Sequence, residues 1–129
     1  MDKISAQDLR IGNYVMSGKG IYSLSAISNP YCIGIHLPDN KAVELQLGLL
    51  SPIPLTPELL ERCGFVKTTL DETPYEIWTH SKIEIWNLNG MYWVLEMAEQ
   101  AGVNLQLKYL HHLQNIVHAL TTIELDVKM

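Results

Sequence analysis

The chain has 129 residues, room for one ordinary domain, with 47% apolar and 18% charged residues. That apolar share excludes a disordered tail or a low-complexity linker, which lacks the surface to offset the entropy of ordering. No apolar run has the ~18 residues of a membrane span, Met1-Asp2-Lys3-Ile4-Ser5 is not a basic segment leading into an apolar core, and the net charge of −5 gives no general attraction to nucleic acid, so a cytoplasmic location is expected.

In chain order the first half reads as short strands broken by turns. Asn13 to Met16 leads into Ser17-Gly18-Lys19-Gly20, whose glycines accept the positive φ of a tight turn. Ile21 to Ser28 alternates, with Ile21, Ser23, Ser25 and Ile27 on one side and Tyr22, Leu24 and Ala26 on the other. Asn29-Pro30 ends that run, Tyr31 to Leu37 forms a third strand, Pro38-Asp39-Asn40 turns the chain, and Ala42 to Leu47 forms a fourth. Short strands at roughly ten-residue spacing predict a curled sheet or a small SH3-like barrel over about 1–52.

Ser51-Pro52-Ile53-Pro54-Leu55 extends neither a ladder nor a helix and is read as a connector. Thr56 then offers an N-cap hydroxyl, Pro57 suits the first helical position, Glu58 complements the dipole and Gly64 stops the chain, which predicts a helix over 57–63. After an acidic loop at Asp71-Glu72, Tyr75 to Thr79 reads as a strand. Ile83 to Leu88, then Asn89-Gly90, then Met91 to Met97 predicts a type I′ hairpin. Its two-residue loop sets Leu88 opposite Met91, Asn87 opposite Tyr92, Trp86 opposite Trp93 and Ile85 opposite Val94. Both faces carry apolar groups, so cover is expected on each. Val103 to Leu107 reads as a further strand and Lys108 to Thr121 as a long helix.

Residues 1–55 balance Asp2, Asp8, Asp39 and Glu44 against Lys3, Arg10, Lys19 and Lys41, so the acidic surplus belongs to 56–129. Neither part clusters Lys and Arg as a phosphate backbone requires, and nucleic acid is not an expected partner. Cys32 and Cys63 are expected to be reduced, packed thiols. Cys63 at a helix C-terminus faces the negative end of the dipole, which opposes thiolate formation. No spacing matches a phosphate loop, a nucleophile elbow or a helical zinc motif.

The last helix carries the most unusual pattern. Tyr109, Leu113, Ile116, Val117 and Leu120 share one side, while His111, Gln114, Asn115 and His118 fall in a narrow arc opposite. A solvent-facing stripe ordinarily holds Lys and Glu; these four are neutral groups that both donate and accept hydrogen bonds. Polar packing or self-association is one reading, ligand recognition the other. His111 and His118 lie roughly 10 Å apart along the axis, too far for a one-turn metal pair, and no metal or cofactor is expected. Trp86 and Trp93 either pack as a cross-strand pair or, with Tyr92, offer a stacking surface for a base. Asp71, Glu72 and Glu76 are read as a solvated turn rather than a carboxylate site.

Three segments, Leu9-Arg10-Ile11-Gly12-Asn13-Tyr14-Val15, Pro52-Ile53-Pro54-Leu55-Thr56 through Cys63-Gly64-Phe65, and Tyr109-Leu110-His111-His112-Leu113-Gln114-Asn115 through Ala119-Leu120-Thr121, occur in this order over nearly the whole chain. In them the sequence resembles a group of uncharacterised proteins from phages and mobile elements of Bacteroidetes. The resemblance implies a setting inside a bacterial host rather than a reaction. That group often has a glycine where Thr122 stands and more commonly an aromatic or aliphatic residue where His118 stands.

The expectation is therefore a single compact α+β domain, 1–129, with an SH3-like part over 1–52 and a unit of helix, antiparallel hairpin and long helix over 53–129. Its expected role is a non-enzymatic binding protein that recognises a host protein or sequesters a small nucleotide-like ligand through His111, Gln114, Asn115, His118, Trp86, Tyr92 and Trp93. A homo-oligomeric adaptor and an enzyme with a dispersed site are the alternatives.

Overall fold

A computed structural model describes residues 4, 6–18, 20–37, 39–69, 76–80, 83–88, 91–96, 105–122 and 124–128. The fold is α+β, with two antiparallel sheets and a C-terminal helix. It divides into two compact units, Met1–Pro54 with Tyr109–Asn115, and Leu55–Lys108 with Ile116–Met129. No helix among the described residues is long and apolar enough to cross a membrane.

In the first unit, β1 (Tyr14–Ser17), β2 (Gly20–Ser28), β3 (Tyr31–Leu37) and β4 (Ala42–Gln46) form a meander in chain order. Ser17 pairs with Gly20 across a turn in which Gly18 has φ +57°. A bulge between Leu24 and Ala26 interrupts the β2–β3 ladder. It corrects the simple alternation: beyond Ser25 the faces exchange, so Ile27 joins Leu24 against the core instead of pointing away from it. That core is Val15, Leu24, Cys32, Leu47 and Leu50, with Ile4, Leu9, Tyr22, Ile27 and Leu45 packed on it. Gly34 makes room for side chains of the two flanking strands, because a Cβ there would stand 2.7 Å from Leu45 Cδ1 and 2.9 Å from Tyr22 Cβ.

A 3-10 turn at Leu47–Leu49 follows β4. The connector does more than link: Ser51 exchanges backbone hydrogen bonds with Met16 at 2.9 and 2.8 Å, and so takes up the outer edge of β1. Proline at 52 removes only its own donor, which leaves Ser51 free to pair. Pro54 bridges Tyr109 in the same unit. No pairing joins β1 to β4 among the described residues, so the sheet is not closed into a barrel.

The second unit begins with α1 (Pro57–Arg62), one residue shorter than the sequence predicts. The Thr56 hydroxyl accepts from Leu59 N at 3.2 Å. Cys63 is the C-cap, and Gly64 at φ +89° reverses the chain so that Gly64 N reaches Glu61 O and Phe65 N reaches Leu60 O, both at 3.0 Å. Those two bonds form a Schellman closure, with Leu60 and Phe65 buried as its apolar pair.

Five strands follow in chain order: β5 (Val66–Thr69), β6 (Glu76–His80), β7 (Ile83–Leu88), β8 (Met91–Glu96) and β9 (Leu105–Leu107). Strand β5 is a finding beyond the sequence reading, whose alternation there is too short to register. The β7–β8 register pairs Leu88 with Met91, Asn87 with Tyr92, Trp86 with Trp93 and Ile85 with Val94, as the two-residue loop predicts. The loop itself, Asn89-Gly90, lies outside the described residues, as do Asp71 and Glu72. Ile83, Ile85, Trp78 and Tyr92 are buried on one face. The other is only partly covered, since Met91 is exposed and Trp86 half-buried.

Helix α2 (Leu110–Thr121) contributes Leu110–Asn115 to the first unit and the rest to the second. Leu110, Leu113 and Val117 are buried, and so are His111 and Gln114.

Candidate functional site

The residues singled out by sequence fall in both units. His111, Gln114 and Asn115 belong to the first, and His118, Trp86, Tyr92 and Trp93 to the second.

Within the first unit, Gln114 and Asn115 grip the segment that leads into β1. Gln114 is 1% exposed; its Oε1 accepts from Tyr14 N at 2.9 Å and its Nε2 donates to Gly12 O at 3.0 Å. Asn115 Oδ1 accepts from Asn13 Nδ2 at 2.8 Å and from Arg10 Nε at 3.2 Å, while Asn115 Nδ2 donates to Asp8 O at 2.7 Å. Asn13, also buried, closes the turn by accepting from Arg10 N at 2.7 Å. A segment of irregular backbone has donors and acceptors with no ladder partner, and two helical amides supply them.

His111 is 2% exposed, stacked parallel to Tyr109 at 5.8 Å and tilted against His112 at 4.3 Å. Its buried Nδ1 makes no hydrogen bond. Burial, aided by repulsion from His112 and opposed by Asp8, pushes its pKa down to about 4, so the ring is neutral at pH 7.

In the second unit Tyr92 is part of the buried core, and Trp86 Nε1 donates to Glu84. Glu76 accepts from Lys67 and, at 2.9 Å, from Asn87. Lys67 first, and then Asn87, hold its carboxyl below the usual carboxylate range. Burial pushes the Cys63 thiol up to about 12 and raises that of Cys32, so neither is a nucleophile at neutral pH. No group of three or more His, Cys, Asp or Glu residues converges as a metal ion requires, among the described residues.

The outer face of the first sheet is accessible. Ala26, Ser28, Tyr31, Cys32, Ile33 and Glu44 line a groove of about 270 Å³. Tyr31 is 45% exposed and Ile33 39%. Beside them β4 is the last strand of its sheet, with no strand or bridge on its far side among the described residues. His36 N donates to Lys41 O, and Leu47 N to Pro30 O. Antiparallel alternation then directs Lys41, Val43 and Leu45 toward β3, and leaves the N–H and C=O of Ala42, Glu44 and Gln46 pointing outward. The two edges of this sheet thus differ: Ser51 occupies one, and among the described residues nothing pairs with the other.

Sequence reasoning overlooked this surface. Its signal was present, since Tyr31, Ile33 and Ile35 alternate with Cys32 and Gly34 and so make β3 apolar on both sides. No known protein family, curated protein or solved structure matches the chain.

Proposed function

We propose that the chain is a non-enzymatic binding protein whose target is a protein segment, captured by strand addition at the β4 edge. The observation that carries this is the open backbone of Ala42, Glu44 and Gln46 next to the exposed Tyr31 and Ile33. Main-chain pairing supplies affinity in this mode, and the neighbouring side chains supply selectivity. The N-terminal module is read as SH3-like: a four-stranded meander, a 3-10 turn, and Ser51 returning antiparallel onto β1. A bacterial cytoplasm, and a phage or mobile element as source of the chain, are proposed on the resemblance alone.

A protein target is favoured over a nucleotide-like one on three grounds. The amides of Gln114 and Asn115 already hold backbone and side-chain partners. Tyr92 is buried and unable to stack on a base. Glu44, in the lining of the groove, repels phosphate.

The test is selection of phage-displayed random seven-residue peptides on the immobilised protein, followed by binding to the Gln46→Pro variant. Gln46 has a negative φ of −91°, about 25° from the proline value, and its N–H points away from β3. Enriched peptides should weaken about tenfold or more on Gln46→Pro with little change in Tm. Peptides indifferent to that substitution, or no enrichment, would overturn the reading. A nucleotide that stabilises wild type and Gln46→Pro alike would overturn it too.

A further inference from the structure

The groove sits over β2 and β3, one strand spacing inward from β4. Strands in a sheet lie about 4.8 Å apart, so a strand added to β4 has its backbone roughly 10 Å from β3. The partner residue facing Glu44 points to the same side of the sheet as Tyr31 and Ile33, because directly opposed residues share a face. A short side chain at that place ends above β4. Only a long, unbranched one crosses Glu44 and reaches the groove.

The lining selects among long side chains by charge. Tyr31, Ile33 and Ala26 offer an apolar floor with one aromatic ring, and Glu44 is the charged group among the described residues that line it. A lysine or arginine stem lies along such a floor, while its charged end meets a carboxylate or a ring face. A glutamate would meet Glu44 with like charge.

We infer that the groove is a subsite for a basic side chain, so that the partner is an extended segment with lysine or arginine at the position opposite Glu44. This rests on strand addition at β4 and specifies its partner. Peptides selected as above are synthesised in matched forms, with the basic residue kept, replaced by norleucine, or replaced by glutamate. Fluorescence polarisation then measures their affinity for wild type, Glu44→Gln and Glu44→Lys, each variant first matched to wild type in Tm. The norleucine form should bind wild type about tenfold more weakly, the glutamate form more weakly still, and Glu44→Lys should prefer the glutamate form. Selected peptides that weaken on Gln46→Pro, but lack a basic residue or ignore Glu44→Lys, would overturn the subsite and leave strand addition standing. Absence of any peptide sensitive to Gln46→Pro would overturn both.

Discussion

Gln114 Oε1 accepts a hydrogen bond from the backbone N–H of Tyr14 at 2.9 Å, across a sequence separation of 100 residues. The same amide donates to Gly12 O at 3.0 Å, so one buried side chain satisfies two backbone groups at the entry to β1. Gln114→Leu keeps helix propensity and bulk but leaves the Tyr14 N–H and the Gly12 carbonyl without that partner. The expected cost is about 2–4 kcal/mol, the sum of two unmade hydrogen bonds at a buried place. Urea unfolding checks it, with the midpoint falling at unchanged slope. A loss under 1 kcal/mol would mean that the amide is not a main tether of this segment.

His111 ties stability to acidity. Its ring titrates at about 4 in the fold, against 6.5 for an ordinary histidine, chiefly because of burial. The unfolded chain therefore binds the proton more readily, and stability rises with pH between those two values and levels off above the higher one. From pH 7 down to about 4.5 the loss through this one group is about 2–3 kcal/mol. Glu76 and Asp39, whose carboxyls are held below the usual range, give up their contributions only in more acid solution. His111→Phe removes the titration while keeping an aromatic ring against Tyr109. Thermal melts from pH 4.5 to 7.5 should show a smaller acid loss in that variant, and equal slopes would contradict the prediction.

What the sequence made legible follows from how local each signal is. The β7–β8 register was readable because a two-residue loop leaves one pairing open. The ends of α1 were readable because Thr56, Pro57 and Gly64 each act within one turn. The bulge at Ser25 was not, since alternation counts residues and cannot see one slip out of its ladder. The uncharged arc of α2 stood out for its composition, but the destination of Gln114 and Asn115 in the Asp8–Tyr14 segment involves pairings about a hundred residues apart. The open edge was hidden for a similar reason. Which strand ends a sheet depends on where every other strand goes, and nothing within Ala42–Gln46 states that Ser51 returns to β1.

Gly64 is the residue on which the end of α1 turns. At φ +89° an alanine pays the left-handed penalty of about 1–2 kcal/mol, and its Cβ would stand 3.3 Å from His80 Cδ2. Gly64→Ala should therefore destabilise by roughly 1–3 kcal/mol, more than Thr56→Ala, which removes one cap hydrogen bond worth about 1 kcal/mol at the other end. Paired chemical denaturation of the two variants checks the order. The reverse ranking would show that the start of this helix, and not its reversal, holds it in place.

Thr122 ends α2 with φ +59°, a left-handed conformation that a β-branched residue adopts at a cost. Its N–H still reaches His118 O at 2.8 Å, so the position must reverse the chain without giving up the last helical bond. Glycine meets that demand without strain. Two effects oppose the exchange: the Thr122 hydroxyl donates to Thr121 O at 2.6 Å, and glycine widens the unfolded ensemble by about 0.5–1 kcal/mol. A hydrogen bond at an exposed site contributes little against water, and the relief of strain for a β-branched residue exceeds the average. Thr122→Gly should thus raise stability by about 0.5–1 kcal/mol and Tm by about 2–6 °C. Thr122→Ala separates the causes, because it loses the hydroxyl and keeps a Cβ in the same conformation. It should gain less than glycine, and a variant order with alanine above glycine would place the advantage in the hydroxyl rather than in the backbone.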